Sequence, residues 1–123
     1  MPDSINTLFV AIGAARTKDP MDSRTAKLLR EGSAKIAKKL AEEAVEVGHE
    51  AILKDRDSVV RESADLIYNL CVLWADVGIK PDDVWAEMER RVQMMGIAEK
   101  LPKPPSSVRV RKLRSGGLSA AAG

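Results

Sequence analysis

Apolar residues recur along this chain in stretches of helical period separated by turn signals. Residues Ile5 to Ala15 mix apolar and small residues without strict alternation, which predicts a short first helix, and Asp19-Pro20 marks the turn that follows it. DSRTAKLLREG reads as a short helical turn stopped by Gly32, after which Ser33 is the predicted N-cap of a long helix running to about Lys54. The stretch KDRD is a charged turn. Beyond it, from Ser58 to Val77, the pattern puts Val59, Leu66, Leu70, Leu73 and Val77 on one helical face. Gly78 ends that helix. Pro81 suits a first helical position, and Asp82 and Asp83 suit the positive end of the dipole, so a further helix is predicted to reach about Met95.

The two long helices are joined by a short charged turn, so they are expected to lie antiparallel as a hairpin. The predicted fold is all-α: this hairpin with additional short helices. A lone hairpin of this length leaves too much Leu, Ile and Val exposed, which predicts dimerisation into a helical bundle. Residues 1–100 form the expected domain. From Leu101 onward, LPKPPSS and SGGLSAAAG read as a flexible tail, with VRVRKL between them a weak edge-strand pattern.

The carboxylates break the apolar pattern in a telling way. On the first long helix Ile36, Leu40, Ala44 and Val47 define the apolar stripe, and at about 100° per residue Glu43 falls only about 20° from Ile36. Glu46 and Glu50 share its flank, whereas Glu42 is rotated towards solvent. On the second long helix Ser63 joins the inward face, and Glu62, Asp65 and Asn69 form a polar strip along its border at spacings of three and four. A hairpin can bring Glu43, Glu46, Glu62 and Asp65 together. Four carboxylates in a partly buried groove repel one another and are costly to desolvate unless cations compensate them. Lys38, Lys39 and Arg61 are near enough in sequence to do so in a purely structural protein, and one Glu-x-x-Glu on a helix is usually just a solvated face. Two such pairs on adjacent helices, with one member inside an apolar stripe, favour a metal. All-oxygen ligation suits Mg²⁺ or Mn²⁺, and phosphate-bearing substrates commonly share the coordination sphere of these ions.

Here the residues resemble a known family. EEAVE at Glu42 to Glu46, followed by ESAD at Glu62 to Asp65, is similar to the E-E-x-x-E and E-x-x-D metal motif of the all-α nucleoside triphosphate pyrophosphatases, often called MazG-like. Within that superfamily, TAKLLREGSAKIAKKLAEEAVEV, ESADLIYNLCVLWADVGIKPDDVWAEMERR and GIAEK resemble the phosphoribosyl-ATP pyrophosphohydrolases, over about Thr7 to Lys100. Arg24 departs from the aromatic residue common in that family, and GHEAIL at Gly48 to Leu53 replaces a more apolar run.

The resemblance implies hydrolysis of phosphoribosyl-ATP to phosphoribosyl-AMP and pyrophosphate, the second step of histidine biosynthesis, with Mg²⁺ held by Glu43, Glu46, Glu62 and Asp65. Glu42 matches the first Glu of the motif and is assigned as outer ligand or as base for the attacking water. Lys27 and Lys39 are candidate phosphate contacts. Two rival functions share these residues: a house-cleaning nucleoside triphosphate pyrophosphatase with the same metal site, and a non-catalytic helical module whose acidic strip binds a basic partner.

Composition narrows the remaining classes. Aromatic residues are 3% of the chain against 45% hydrophobic overall, so the core must be aliphatic, which favours helices over a β-sandwich. The net charge is only +2, with much of the excess in Arg109, Arg111, Lys112 and Arg114; that stretch has no aromatic residue to stack on bases, and nucleic-acid binding is not expected. Cys71 is the only cysteine, so neither an intrachain disulfide nor a cysteine-zinc cluster is available, and burial is expected for it. His49, the only histidine, has no cysteine partner for zinc and is expected to be partly exposed. Trp74, Trp85, Met88, Met94 and Met95 are expected to fill core or dimer interface. Tyr68 is the one aromatic near the acidic strip available to stack on adenine. No stretch approaches the roughly 20 apolar residues that span a bilayer and no leader pattern is evident, so a cytosolic location is expected.

Overall fold

The computed structural model describes residues 3–94. Five helices make up its regular structure: α1 (Ser4–Ala15), α2 (Arg24–Glu31), α3 (Ser33–Ile52), α4 (Arg56–Val77) and α5 (Pro81–Met94). The predicted tail, the VRVRKL segment, Met95 and GIAEK lie outside the described residues. No helix among the described residues is long and apolar enough to cross a membrane.

At the starts of α1, α2 and α4 a local polar side chain satisfies an otherwise unpaired amide. Asp3 accepts from the Asn6 amide at α1, and Ser23 from the Ala26 amide at α2. The start of α3 differs from the sequence expectation: Gly32, at φ 97°, is the N-cap, and Ser33 is already helical. An extended ψ at a positive φ is open to glycine, and the Ser33 hydroxyl is thereby released to donate to Asp76 Oδ2 at 2.5 Å, fastening the start of α3 to the end of α4. The hairpin turn is made by Lys54, which adopts a left-handed φ of 59°, followed by Asp55, whose carboxylate caps α4 through the Ser58 amide and hydroxyl. Gly78, also left-handed, closes α4 with its amide on the Trp74 carbonyl. Pro81 opens α5 as the sequence predicts, with Asp83 accepting from the Lys80 amide.

Two compact units divide within α5, the first ending at Trp85 and the second beginning at Ala86. In the first unit α3 and α4 form the antiparallel hairpin and share its largest interface, while α1 packs on α4 and α2 on α3. Ile12, Leu28, Ile36, Cys71, Val72 and Trp74 form the buried core. Trp85 packs edge-on against Trp74, ring centroids 6.1 Å apart, and Arg16 donates to the Ala75 carbonyl at 2.8 Å. In the second unit Glu87 pairs with Arg90 and Arg91 along one face of α5, and these guanidinium groups hold its carboxyl down to about 2.

The apolar stripes need two corrections. On α4 the fully buried positions are Cys71 and Val72, together with the nearly buried Asn69 and Trp74, whereas Leu66, Leu70 and Leu73 are half-buried and Val77 is exposed. The reason is that α4 is packed by both α1 and α3, so its buried arc is wider than a single hairpin stripe. On α3 Ile36 is buried, but Ala44 is exposed. Met88 and Met94 are exposed and so lie outside the core of a single chain. Cys71 is buried, and that burial pushes its thiol above the usual range, as suits a packing residue.

Candidate active site

The acidic groups come from the middle of the hairpin. Antiparallel packing sets Glu43 of α3 opposite Glu62 and Asp65 of α4, and each of these three offers a carboxylate oxygen within 4.8 Å of the others. Glu43 and Glu62 are half-buried and Asp65 is exposed. Glu46 is outside this group of oxygens yet close enough to act on Glu62. Partial burial pushes the Glu62 carboxyl above its usual range, and the charges of Glu46, Asp65 and Glu43 raise it further, in that order.

No cation among the described residues relieves this repulsion. Among the described residues, no Lys, Arg or His lies within ion-pair distance of Glu43, Glu46, Glu62 or Asp65. Arg61, a sequence candidate for compensation, donates to the Ser58 hydroxyl at 3.0 Å instead. Glu43 Oε1 is buried without any hydrogen-bond partner. A carboxylate oxygen shut away from water and from every donor loses its solvation with no return, unless a cation takes the lone pairs. The donor set is all carboxylate oxygen, which fits a hard divalent ion.

Helices α2 and α3 form a cationic cavity of about 440 Å³, walled by Arg24, Lys27 and Glu31 of α2 and by Lys35, Lys38, Lys39 and Glu42 of α3. Both sequence-predicted phosphate contacts, Lys27 and Lys39, are in its wall. Glu42 is there too, rather than among the three converging oxygens. The sequence pattern does not single out Lys35, and Lys38, a sequence candidate for compensating the acids, lines this cavity instead. Their shared face is nonetheless legible: Lys35, Lys38, Lys39 and Glu42 are spaced by three, four and seven, one face of α3. A second cavity of about 410 Å³ is bordered by Arg24, Thr25, Asp65 and Tyr68. The Tyr68 and Thr25 hydroxyls share a 2.5 Å hydrogen bond, and the Arg24 guanidinium lies over the Tyr68 ring, 5.9 Å from its centroid. Sequence reasoning gave Arg24 and Thr25 no role, since neither interrupts an apolar stripe.

Asn69 of the polar strip is buried and donates to the Asp65 carbonyl at 2.8 Å, bracing the backbone that carries Asp65. Glu50 is half-buried next to His49, 3.9 Å from its Nδ1, and takes no part in the acidic group; His49 itself is exposed, as expected.

An acidic centre on a helical hairpin, flanked by a lysine-walled cavity, is equipment for phosphate chemistry on an all-α frame. The comparisons give that class a narrower identity. The family model described as phosphoribosyl-ATP pyrophosphohydrolase matches residues 6–92. The chain is 56% identical over 120 residues to phosphoribosyl-ATP pyrophosphatase 2 of Bradyrhizobium diazoefficiens, covering 98% of this chain and 88% of that one. It is 60% identical over 103 residues to phosphoribosyl-ATP pyrophosphatase 2 of Rhodopseudomonas palustris, covering 84% and 79%. With phosphoribosyl-ATP pyrophosphatase of Rhodospirillum rubrum it shares 50% identity over 99 residues, covering 80% and 85%. The chain belongs to the phosphoribosyl-ATP pyrophosphohydrolase family, and it is a hydrolase.

Proposed function

We propose that this protein hydrolyses phosphoribosyl-ATP to phosphoribosyl-AMP and pyrophosphate in histidine biosynthesis, using Mg²⁺, or Mn²⁺ in its place, held by Glu43, Glu46, Glu62 and Asp65. The observation that supports the metal assignment is the meeting of Glu43, Glu62 and Asp65 with no cation beside them among the described residues, and with Glu43 Oε1 buried and unpartnered there. The relatives' names support the substrate. When bound, the ion neutralises phosphate oxygens and lowers the pKa of water at the site.

The chain's own residues supply the rest. Lys27 and Lys39 hold phosphate oxygens by charge-assisted hydrogen bonds in the cationic cavity. Glu43 and Glu46 complete the catalytic carboxylates on α3, and Glu42, on the cavity wall, accepts the proton of the attacking water. Water adds to phosphorus, the α–β phosphoanhydride bond breaks, and pyrophosphate leaves. Residues 1–100 constitute the catalytic domain and 101–123 a separate basic tail.

A second copy covers the apolar residues that one chain leaves exposed, among them Val45 and Ile52 of α3 and Val60 and Ile67 of α4, so the working form is a homodimer. The location is cytoplasmic. The deciding experiment is pyrophosphate release from phosphoribosyl-ATP and from a panel of dNTPs, with and without Mg²⁺. Preference for phosphoribosyl-ATP with Mg²⁺ dependence is the expected result. Preference for dNTPs would make the protein a house-cleaning pyrophosphatase, and indifference to Mg²⁺ would remove the metal site. Sedimentation tests the dimer, which a stable folded monomer at micromolar concentration would exclude.

A further inference from the structure

Arg24 is common to the linings of both cavities: the one walled by Lys27, Lys35, Lys38 and Lys39, and the one bordered by Asp65 and Tyr68. Arg24 is therefore shared by the lysine-walled space and the space that Asp65 borders. Its side chain is exposed, and among the described residues it has no ion-pair partner, although Glu31 and Glu42 share one cavity with it and Asp65 the other. What holds it is the face of Tyr68, 5.9 Å from the ring centroid to the guanidinium carbon. A guanidinium held near a ring by cation–π attraction still presents a fork of N–H donors to an acceptor. The platform is itself fastened, since the Tyr68 hydroxyl is tied to Thr25, the neighbour of Arg24 on α2, at 2.5 Å.

We infer that Arg24 is a substrate-binding residue that grips a phosphate at the seam between the two cavities through its guanidinium fork, with Tyr68 as its positioning platform. The ligand class is a nucleotide polyphosphate or pyrophosphate, whose oxygens match the fork bidentately. Lysine is a poor substitute here, because an ammonium is a point charge that does not present two parallel donors. This inference rests on the reading of Glu43, Glu62 and Asp65 as the reacting centre.

The test uses the full chain and the variants Arg24→Ala, Arg24→Lys, Tyr68→Leu and Glu62→Gln. Two readouts are taken: steady-state hydrolysis of phosphoribosyl-ATP with Mg²⁺, and calorimetric binding of inorganic pyrophosphate without metal. Arg24→Ala is expected to raise KM and weaken pyrophosphate binding about tenfold with kcat little changed, as removal of uniform binding does. Arg24→Lys should recover only part of that loss, and Tyr68→Leu should weaken pyrophosphate binding with Arg24 still present. Thermal melts confirm that each variant is folded. Wild-type KM and pyrophosphate affinity in both Arg24 variants would overturn the role of Arg24, while loss of turnover in Glu62→Gln would leave the acidic centre standing. Full Mg²⁺-dependent turnover in Glu62→Gln would instead sink the acidic centre and, with it, this inference.

Discussion

Glu43 on α3 and Asp65 on α4 each bring a carboxylate oxygen within 4.8 Å of the other and of Glu62, although Glu43 starts from within the apolar stripe of its helix. Its Oε1 is buried and has no donor, so the side chain sits where neither core packing nor solvation accounts for it. The substitution Glu43→Gln separates the readings. Loss of a ligand should cut Mg²⁺-dependent turnover about tenfold or more, ~1.4 kcal/mol of transition-state stabilisation. Metal-free stability should hold or rise, because one of the repelling charges is gone. Thermal melts with and without Mg²⁺, run beside the pyrophosphate assay, check both; a variant with wild-type turnover and Mg²⁺ stabilisation would disprove ligation by Glu43.

Acidity offers a second handle. The Glu62 carboxyl is raised above 4.5 in the folded chain by burial first and then by Glu46, Asp65 and Glu43. Folding therefore favours its protonated form, so metal-free stability increases as pH falls from the raised value towards 4.5 and decreases as pH rises through it. Asp55 and Glu87, both lowered, lose their contributions on acidification, which acts in the opposite direction. Comparing wild type with Glu62→Gln subtracts those groups. The wild type should gain melting temperature relative to the variant as pH drops, and a constant difference across the range would contradict the crowding of carboxylates.

Lys27 of α2 and Lys39 of α3 both line the cationic cavity. Alanine at either position is expected to raise KM about tenfold with kcat nearly unchanged, the signature of lost ground-state and transition-state binding in equal measure. Lys27 is exposed, so its loss should change stability by no more than about 0.5 kcal/mol, whereas Lys39 is half-buried and its loss should cost about 1 kcal/mol or less. Urea titrations and steady-state kinetics on the same preparations distinguish binding from folding. An unchanged KM in both variants would remove the lysines from the substrate site.

Ile36 and Ala44 lie on one nominal stripe of α3 but have different surroundings: Ile36 is fully buried, and Ala44 is exposed. Ile36→Ala should cost ~2–5 kcal/mol through lost burial and the cavity left behind. Ala44→Ser should change stability by no more than about 0.5 kcal/mol. Chemical denaturation measures both, and equal costs would contradict the packing described.

How much was legible in the sequence follows from the range of each signal. Helix boundaries are set by neighbours a few residues apart, so Gly32, Asp55, Gly78 and Pro81 announced their turns, and a short charged turn was enough to imply the hairpin. The period of α3 and α4 likewise exposed Glu43, Glu62 and Asp65 as carboxylates on or beside apolar faces. Other features depend on what lies across a gap of many residues. Ser33 reads as a cap until Asp76, 43 positions away, claims its hydroxyl. Cys71, Val72 and Asn69 are buried because α1 and α3 both cover α4, which a single helix's stripe cannot record. Arg24 is an ordinary charged residue in the chain and becomes a bridge between two cavities only when α2 is laid beside α4 with Tyr68 beneath it. The sequence by itself determined which residue types and helices were available, since propensity and period are local; the tertiary structure alone decided which charges meet, because electrostatic and packing energies depend on distance through space.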